Sequence, residues 1–461
     1  MSRLFSLTSA WCLSCREFRP ARIMGDDEAV WLEKICPVHG IKREIISTEP
    51  EHYAASSGYN KPTVLPKGRF SQKFIGCPYS CGLCPKHQQH TCLAIAEITS
   101  LCDLNCPICL KIKGDEFGLS PEDFAECLNK LSEYEGGLIL VNLSGGEPTL
   151  HPRFADFLKV AAELGVAQLT VSTNGLRLSK DKALRELFVN YSTVAALQFD
   201  GLSENTYLTL RGRKLLSTKL ETIEIFEKEG LPYSLTAVVA KGVNDWEIGA
   251  IADFFFNSKA LSLMIQPAAV VGEAYRNFGP QIRPALDEVV KALETSKNVA
   301  PGDMTPIACS HPSCAASAYY FNAGEGRFLS LKKFLGLEQY LEVTANRAFP
   351  GLDLEGSQII RDKIYQRWAA ASSDPEDIEI LERARGFLRR LEGREFTPGE
   401  AFDLGKEMVK SVFVHAFMDP YCLDLARLSK CCNHYLRKGG QLIPMCAHNF
   451  KVYVEKAASV Y

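Results

Sequence analysis

The chain predicts a mixed α/β fold: a partial (β/α)6 barrel with a cysteine-rich, metal-binding N-terminal region and a mostly helical, cysteine-bearing C-terminal region. Three observations carry that expectation. Between residues 93 and 268, short β-branched runs alternate with amphipathic segments six times. A polar residue closes or follows each run, namely Thr99, Ser144, Asn174, Asp200, Lys241 and Gln266, as on the active-site rim of a β/α barrel. Of 17 cysteines, ten fall between residues 12 and 109, and most of the rest lie after residue 300.

The bulk numbers narrow the class. With 461 residues, 46% hydrophobic and 23% charged, the chain can bury a core without disulfide staples. A formal charge of −3 argues against wrapping nucleic acid. No apolar run approaches the roughly 18 residues a spanning helix needs. The opening MSRLFSLTSAWCLSC is short, broken by Ser and Thr, and places Trp11 where a cleavage site wants small residues, so no signal peptide is expected. Grouped cysteines in a large chain without an export signal point to metal sites in a reducing, cytoplasmic compartment.

In chain order, residues 1–60 form the first expected unit. Cys12-x2-Cys15 and Cys36-x2-His39 are two knuckles whose spacing suits one tetrahedral ion, zinc or rubredoxin-like iron. Residues 61–92 form the second. Cys77, Cys81 and Cys84 are spaced C-x3-C-x2-C, and Cys92 adds a fourth thiolate. Four cysteines can close an auxiliary [4Fe–4S] cubane, with zinc the competing reading, and His87 and His90 stand ready as donors to the ligand thiolates.

Residues 93–280 are the barrel, with strands expected at 93–99, 138–144, 168–174, 193–200, 233–240 and 262–268. The first helix begins at Ser120-Pro121-Glu122-Asp123, an N-cap serine followed by proline and early acids. Phe124, Leu128 and Leu131 mark its apolar face, Cys127 reads as a small apolar residue, and Gly136 ends it. Parallel strands joined by right-handed crossovers follow from the repeated unit.

Chemistry concentrates at the strand ends. Cys102-Asp-Leu-Asn-Cys106-Pro-Ile-Cys109 follows the first strand and again has the spacing C-x3-C-x2-C. Three thiolates on one loop can bind three irons of a cubane and leave the fourth open; a zinc knuckle or a plain ferredoxin-type cluster would share the spacing. Ser144-Gly145-Gly146-Glu147-Pro148 ends the second strand. Its glycines let backbone approach a ligand, and Glu147 supplies an anionic acceptor for an ammonium group. Ser172 and Asn174 end the third with small hydrogen-bonding groups suited to a ribose. Asp200 with Gln198, followed by Tyr207 and Arg211, could orient a ligand or form a loop salt bridge. Asn244 reads as a helix N-cap or a ligand contact, and Gln266 as a rim contact.

Residues 281–461 read as helical over 281–296, 358–371, 375–395 and 399–417. Cys309, Cys314, Cys446 and one of the adjacent Cys431 and Cys432, with Cys432 preferred, offer ligands for a further cluster.

The C-x3-C-x2-C loop, the strand and GGEP together resemble the radical S-adenosylmethionine (SAM) superfamily over residues 93–268. The resemblance implies one catalytic [4Fe–4S] cluster on Cys102, Cys106 and Cys109, and SAM chelated by its amine and carboxylate at the open iron. It also implies SAM contacts at Gly145, Gly146, Glu147, Pro148, Ser172, Asn174, Asp200, Arg211 and Gln266. Electron transfer then cleaves the sulfonium, and the 5′-deoxyadenosyl radical abstracts hydrogen from unactivated carbon. Such chemistry needs a low-potential electron donor of the ferredoxin or flavodoxin type. Cys77 lacks both a preceding strand and a following GGEP, which leaves it the auxiliary role. Ile108 departs from the aromatic residue frequent before the last cysteine.

The order of motifs is also similar to one branch of that superfamily. The shared pattern runs through Cys12 to Gly40, Gly76 to Cys92, and His415-Ala-Phe-Met-Asp419 through Asp424, Arg427, Cys431-Cys432, His434 and Cys446. Cys422 and Met445 depart from it. The branch holds archaeal tetraether lipid synthases and proteins that methylate a reduced pterin precursor. It implies coupling of lipid alkyl chains, with peripheral membrane contact, or radical methylation of a small heterocycle. Sulfur insertion is a further reading, and a multi-cluster electron carrier is the non-enzyme alternative.

Overall fold

The structure is a computed structural model that describes residues 2–457 apart from 60, 69–75, 79–81, 113, 115, 309, 348–353 and most of 370–407. An N-terminal antiparallel meander comes first: β1 (Arg3–Cys12), β2 (Glu17–Gly25), β3 (Val30–Cys36) and β4 (Gly40–Ser47). Its hairpin ends carry the two expected knuckles, because Cys12 ends β1 and Cys36 ends β3. Trp11 packs edge-on against Phe450, which fixes this ribbon to the C-terminal tail.

The six expected barrel strands are present: β5 (Leu93–Thr99), β6 (Leu140–Gly145), β7 (Gln168–Thr173), β8 (Val194–Gln198), β9 (Tyr233–Val239) and β10 (Ser262–Pro267). They pair in sequence order and in parallel. Alternation decides the two faces. Val141, Leu143, Leu169 and Val171 join Phe124, Leu128 and Phe157 of the covering helices in the main core. The intervening Asn142, Ser144, Thr170 and Ser172 point the other way and are half-buried. Helix Pro121–Glu135 has its expected ends. Ser120 Oγ accepts from the Asp123 amide at 3.0 Å, and Gly136 closes the helix at φ 80°. Cys127 is buried in the core as a small apolar side chain and donates its thiol to the Arg437 carbonyl at 3.2 Å.

The C-terminal region holds more strand than expected: β11 (Thr305–Pro306), β12 (Ala315–Gly324), β13 (Arg327–Ser330), β14 (Val409–His415), β15 (Asn433–Arg437) and β16 (Gln441–Pro444). The expected helix 399–417 is corrected at its end, since Val409–His415 is a strand. VKSVFVH has β-branched and aromatic residues in alternation, and its burial alternates with them. The expected helix 375–395 and the start of 399–417 lie largely outside the described residues. Leu286–Leu293 is helical within the expected span 281–296, and the helix Leu354–Ala369 overlaps the expected 358–371 but starts before it.

Two of these late strands extend the parallel sheet. β14 pairs with β10, and β15 pairs with β5, both in parallel. Eight parallel strands therefore run in the order β14-β10-β9-β8-β7-β6-β5-β15. The outer two approach each other where the Asn433 amide nitrogen lies 3.4 Å from the His415 ring. The six-unit barrel is thus flanked on both edges by strands from the far end of the chain.

Candidate active site and metal centres

The cysteine loop leaves β5 at Thr99 and is tied down on every side. Gly146 N donates to Thr99 O at 2.7 Å, and Glu147 N donates to Leu101 O at 2.6 Å. A Cβ on Gly145 would overlap the Thr99 carbonyl oxygen, and one on Gly146 the Leu101 carbonyl oxygen. Glycine at both positions is what allows this backbone approach. On the far side, Ala274 N donates to Cys109 O at 3.2 Å and Asn174 Nδ2 to Asp103 Oδ1 at 2.6 Å.

The loop presents Cys102 exposed and Cys106 and Cys109 half-buried. Desolvation pushes the Cys102 thiol up to about 12, with Cys106, Glu147 and Asp103 adding to the effect. Burial raises Cys109 as well. Three thiolates here need cationic compensation, which iron supplies. Arg211 adds more, since its guanidinium reaches the Cys106 sulfur. The donor set fits a cluster bound through three cysteines.

Glu147 lies buried between the ends of β6 and β7. It is 1% exposed. Its carboxylate accepts from Thr149 Oγ1 at 2.7 Å, Thr149 N at 3.4 Å, Thr173 Oγ1 at 2.8 Å and Asn174 N at 2.7 Å. Three of these donors reach Oε1 and one reaches Oε2, so the carboxylate joins the ends of β6 and β7 while Oε2 keeps acceptor capacity. Pro148 is buried and opens the short turn that follows.

Asp200 and Arg211 meet as a bidentate ion pair, with Nε–Oδ2 2.7 Å and Nη2–Oδ1 2.6 Å. Asp200 is wholly buried and also accepts from Val238 N at 3.0 Å and from Gln198 Nε2. Asn244 holds the N-cap position of a short turn, but its side chain does no capping. Its amide donates to Asp200 O at 2.7 Å and Val238 O at 2.8 Å, stitching two strand ends together. Ser172 bonds Asn142 Nδ2 at 3.0 Å, and Thr170 donates to Asn142 Oδ1 at 2.8 Å, all on the inner face. Gln266 ends β10 half-buried, in phase with Met264 on that face.

Two features escaped the sequence. Lys219 is fully buried, donates to Asn174 O and to Gln198 Oε1 at 2.9 Å, and is pushed down to about 8 by desolvation. It lies in phase with Ile223 and Phe226 on its helix, so its burial was readable from periodicity. Glu97, on β5, pairs with Lys111 and lies 3.1 Å from His448 Nε2. Burial opposes its charge, yet Lys111 and His448 hold its carboxyl at about 2.

The ribbon knuckles converge. Cys12, Cys15, Cys36 and His39 have ligand atoms all within 4.8 Å of one another, and Cys36 Sγ lies 3.4 Å from His39 Nδ1. Desolvation works against the Cys36 thiolate, but the His39 and Val38 amides and the His39 ring lower it to about 6. That is a ready tetrahedral site for one ion.

The second expected site is described in part. Cys84 is buried, Cys77 and Cys92 are half-buried, and Cys81 lies outside the described residues. His90 Nε2 lies 3.5 Å from Cys92 Sγ, as a donor to a ligand would. His87 instead faces the C-terminal tail, with Nε2 2.9 Å from Cys431 O and 3.2 Å from His434 Nε2. Cys309 also lies outside the described residues. Cys431 sits within electrostatic reach of Cys314, Cys432 and Cys446, and Arg427 within reach of Cys314, Cys422 and Cys446.

Comparison with known proteins agrees with this geometry. Residues 73–255 match the radical SAM superfamily, and residues 4–48 match the HMPTM N-terminal zinc ribbon domain. A 7,8-dihydro-6-hydroxymethylpterin dimethyltransferase of Methanocaldococcus jannaschii is 27% identical across 96% of this chain and 93% of that protein. A GTP 3′,8-cyclase of Synechocystis is 27% identical across 34% of this chain and 48% of its own length. Among solved structures, Streptococcus suis SuiB bound to its precursor peptide SuiA is similar with a TM-score of 0.38 and 17% identity. That match covers 45% of this chain and 46% of SuiB. With its cysteine loop, glycine-packed strand end and matching family segment, this chain is a radical SAM enzyme.

Proposed function

We propose that this enzyme methylates a reduced pterin or a closely similar polar heterocycle. The observation that carries the reading is the chemistry of the barrel's inner face. Asn142, Ser144, Thr170, Ser172, Gln198, Ser234, Thr236, Ser262 and Gln266 share the half-buried phase of their strands. Several bond one another, as Ser262 does Ser234 at 2.8 Å. An alkyl chain in that space would leave those not already paired within the protein, such as Ser144, Thr236 and Gln266, without a polar partner, each at about 1–3 kcal/mol. A flat heterocycle rich in donors and acceptors would pair with them. Likeness to a pterin dimethyltransferase over nearly the whole chain, and a ribbon of the matching type, support the same side. Both grounds favour this reading over the lipid-coupling expectation. No described helix is long and apolar enough to cross a membrane.

In this reading Cys102, Cys106 and Cys109 hold the catalytic cluster. When bound, the cluster and SAM supply a carbon-centred radical by reductive cleavage of the sulfonium. The backbone at Gly145 and Gly146 borders the methionine end, Ser172, Asn174 and Gln266 face the cofactor side, and the Asp200–Arg211 pair stiffens the rim. Zinc occupies Cys12, Cys15, Cys36 and His39. Auxiliary [4Fe–4S] clusters take Cys77, Cys81, Cys84 and Cys92, and Cys314 with Cys432 and Cys446. A ferredoxin- or flavodoxin-type donor supplies electrons.

The test is anaerobic turnover of reconstituted protein with SAM, reductant and 7,8-dihydro-6-hydroxymethylpterin, followed by mass spectrometry. A product heavier by one methyl group is expected. An unchanged pterin beside coupled chains from an archaeal-type ether lipid would reject the reading in favour of lipid chemistry.

A further inference from the structure

Arg427 lies at the centre of the C-terminal cysteines and is 7% exposed. Its Nε donates to Cys314 Sγ at 3.0 Å, and its Nη2 donates to the Ala416 carbonyl. The groups acting on it most strongly are the sulfurs of Cys314, Cys422 and Cys446, not carboxylates. Nearby carboxylates are otherwise engaged. Asp424 caps its helix by accepting from Ala426 N at 2.9 Å, and Asp419 pairs with Arg283 at 3.2 Å.

A guanidinium cannot shed its proton, and a buried cation needs an anion close by. Neutral thiols do not provide one. Cysteine sulfurs become that anion when a metal holds them as thiolates. Cys314 precedes β12 and Cys446 follows β16, so two distant segments bring their sulfurs to one cation, and Cys431, just before β15, lies within electrostatic reach of both. Unlike the ribbon quartet, no three of these sulfurs lie within 4.8 Å of one another among the described residues, and thiolates on a cubane bind different irons and stand farther apart than ligands of a single ion.

We propose that Arg427 sets the reduction potential of an iron–sulfur cluster held by Cys314, Cys446 and the Cys431–Cys432 pair, raising it by charge and by an N–H···S bond. The inference rests on the reading that these cysteines carry a cluster, and it adds a role for a residue that is not a ligand. Reduction adds one negative charge to the cluster. A fixed positive charge and a hydrogen bond to a ligand sulfur both favour the more negative state, so the potential rises.

The experiment uses the full chain with Cys102, Cys106 and Cys109 all replaced by alanine, so that the catalytic cluster is silent. Iron content and an EPR-monitored potentiometric titration are the readouts. Adding Cys314→Ala and Cys446→Ala should remove the iron of one cluster and its EPR signal. Arg427→Gln should keep the iron and shift the midpoint to lower potential, with Arg427→Lys between it and the parent. If Arg427→Gln sheds its cluster, the equally neutral Arg427→Met carries the test. A parental midpoint in an iron-replete neutral variant overturns the proposal. Iron retained in full after Cys314→Ala and Cys446→Ala overturns it too. Neither readout involves a pterin, so failure here leaves the methylation reading standing.

Discussion

The loop that carries Cys102, Cys106 and Cys109 and the cage around Arg427 are both sets of cysteines, yet they are built in opposite ways. The loop is one short segment, positioned by the end of β5 and by glycines that let β6 press against it. The cage draws on residues 314, 431–432 and 446, which only the folded sheet brings together. Local assembly suits a site that must leave one iron open to a cofactor, because three ligands can be set by one turn of chain. With the proposed cluster in place, long-range assembly would make the cage a fastener, tying β12, β15 and the helix Met445–Ala457 to the barrel's edges.

This contrast can be broken by substitution. The largest effect belongs to Cys106→Ala, which should abolish 5′-deoxyadenosine formation, whereas Cys446→Ala should lower iron content and leave uncoupled SAM cleavage measurable. Cleavage lost in both, with iron intact in Cys446→Ala, would erase the distinction. Next comes Asp200→Asn, which leaves Arg211 buried without its anion. Chemical denaturation should show about 3–5 kcal/mol of lost stability. A loss below about 1 kcal/mol would mean that the rim is not held by this pair. Asn142→Leu removes one polar partner from the inner face. It should raise KM for the pterin about tenfold, in line with one hydrogen bond. Ser120→Ala, which uncaps the first barrel helix far from any metal, should cost about 1 kcal/mol in stability and leave turnover untouched.

What could be read from sequence follows the same division. The six inner strands, the Ser120 cap and the Gly136 stop were legible because period, capping and turn chemistry are local. The ribbon quartet was legible because two short knuckles fix its ligands. β14 was hidden beside residues that read as helix, and β15 pairs Asn433 with Leu93, a partner that no local pattern announces. Glu147 shows the limit within a motif. Its residue type was plain, but the Thr149 and Thr173 hydroxyls that hold one carboxylate oxygen come from two different strand ends. The Asp200–Arg211 pair was even between ligand contact and salt bridge, and burial with bidentate geometry resolves it as a pair.

The central claim is that this radical SAM barrel acts on a polar heterocycle rather than an alkyl chain. The most direct test measures 5′-deoxyadenosine release by the reconstituted enzyme with either 7,8-dihydro-6-hydroxymethylpterin or an archaeal-type ether lipid in vesicles. Release stimulated by the pterin and not by the lipid is the predicted result. Stimulation by the lipid alone would contradict it.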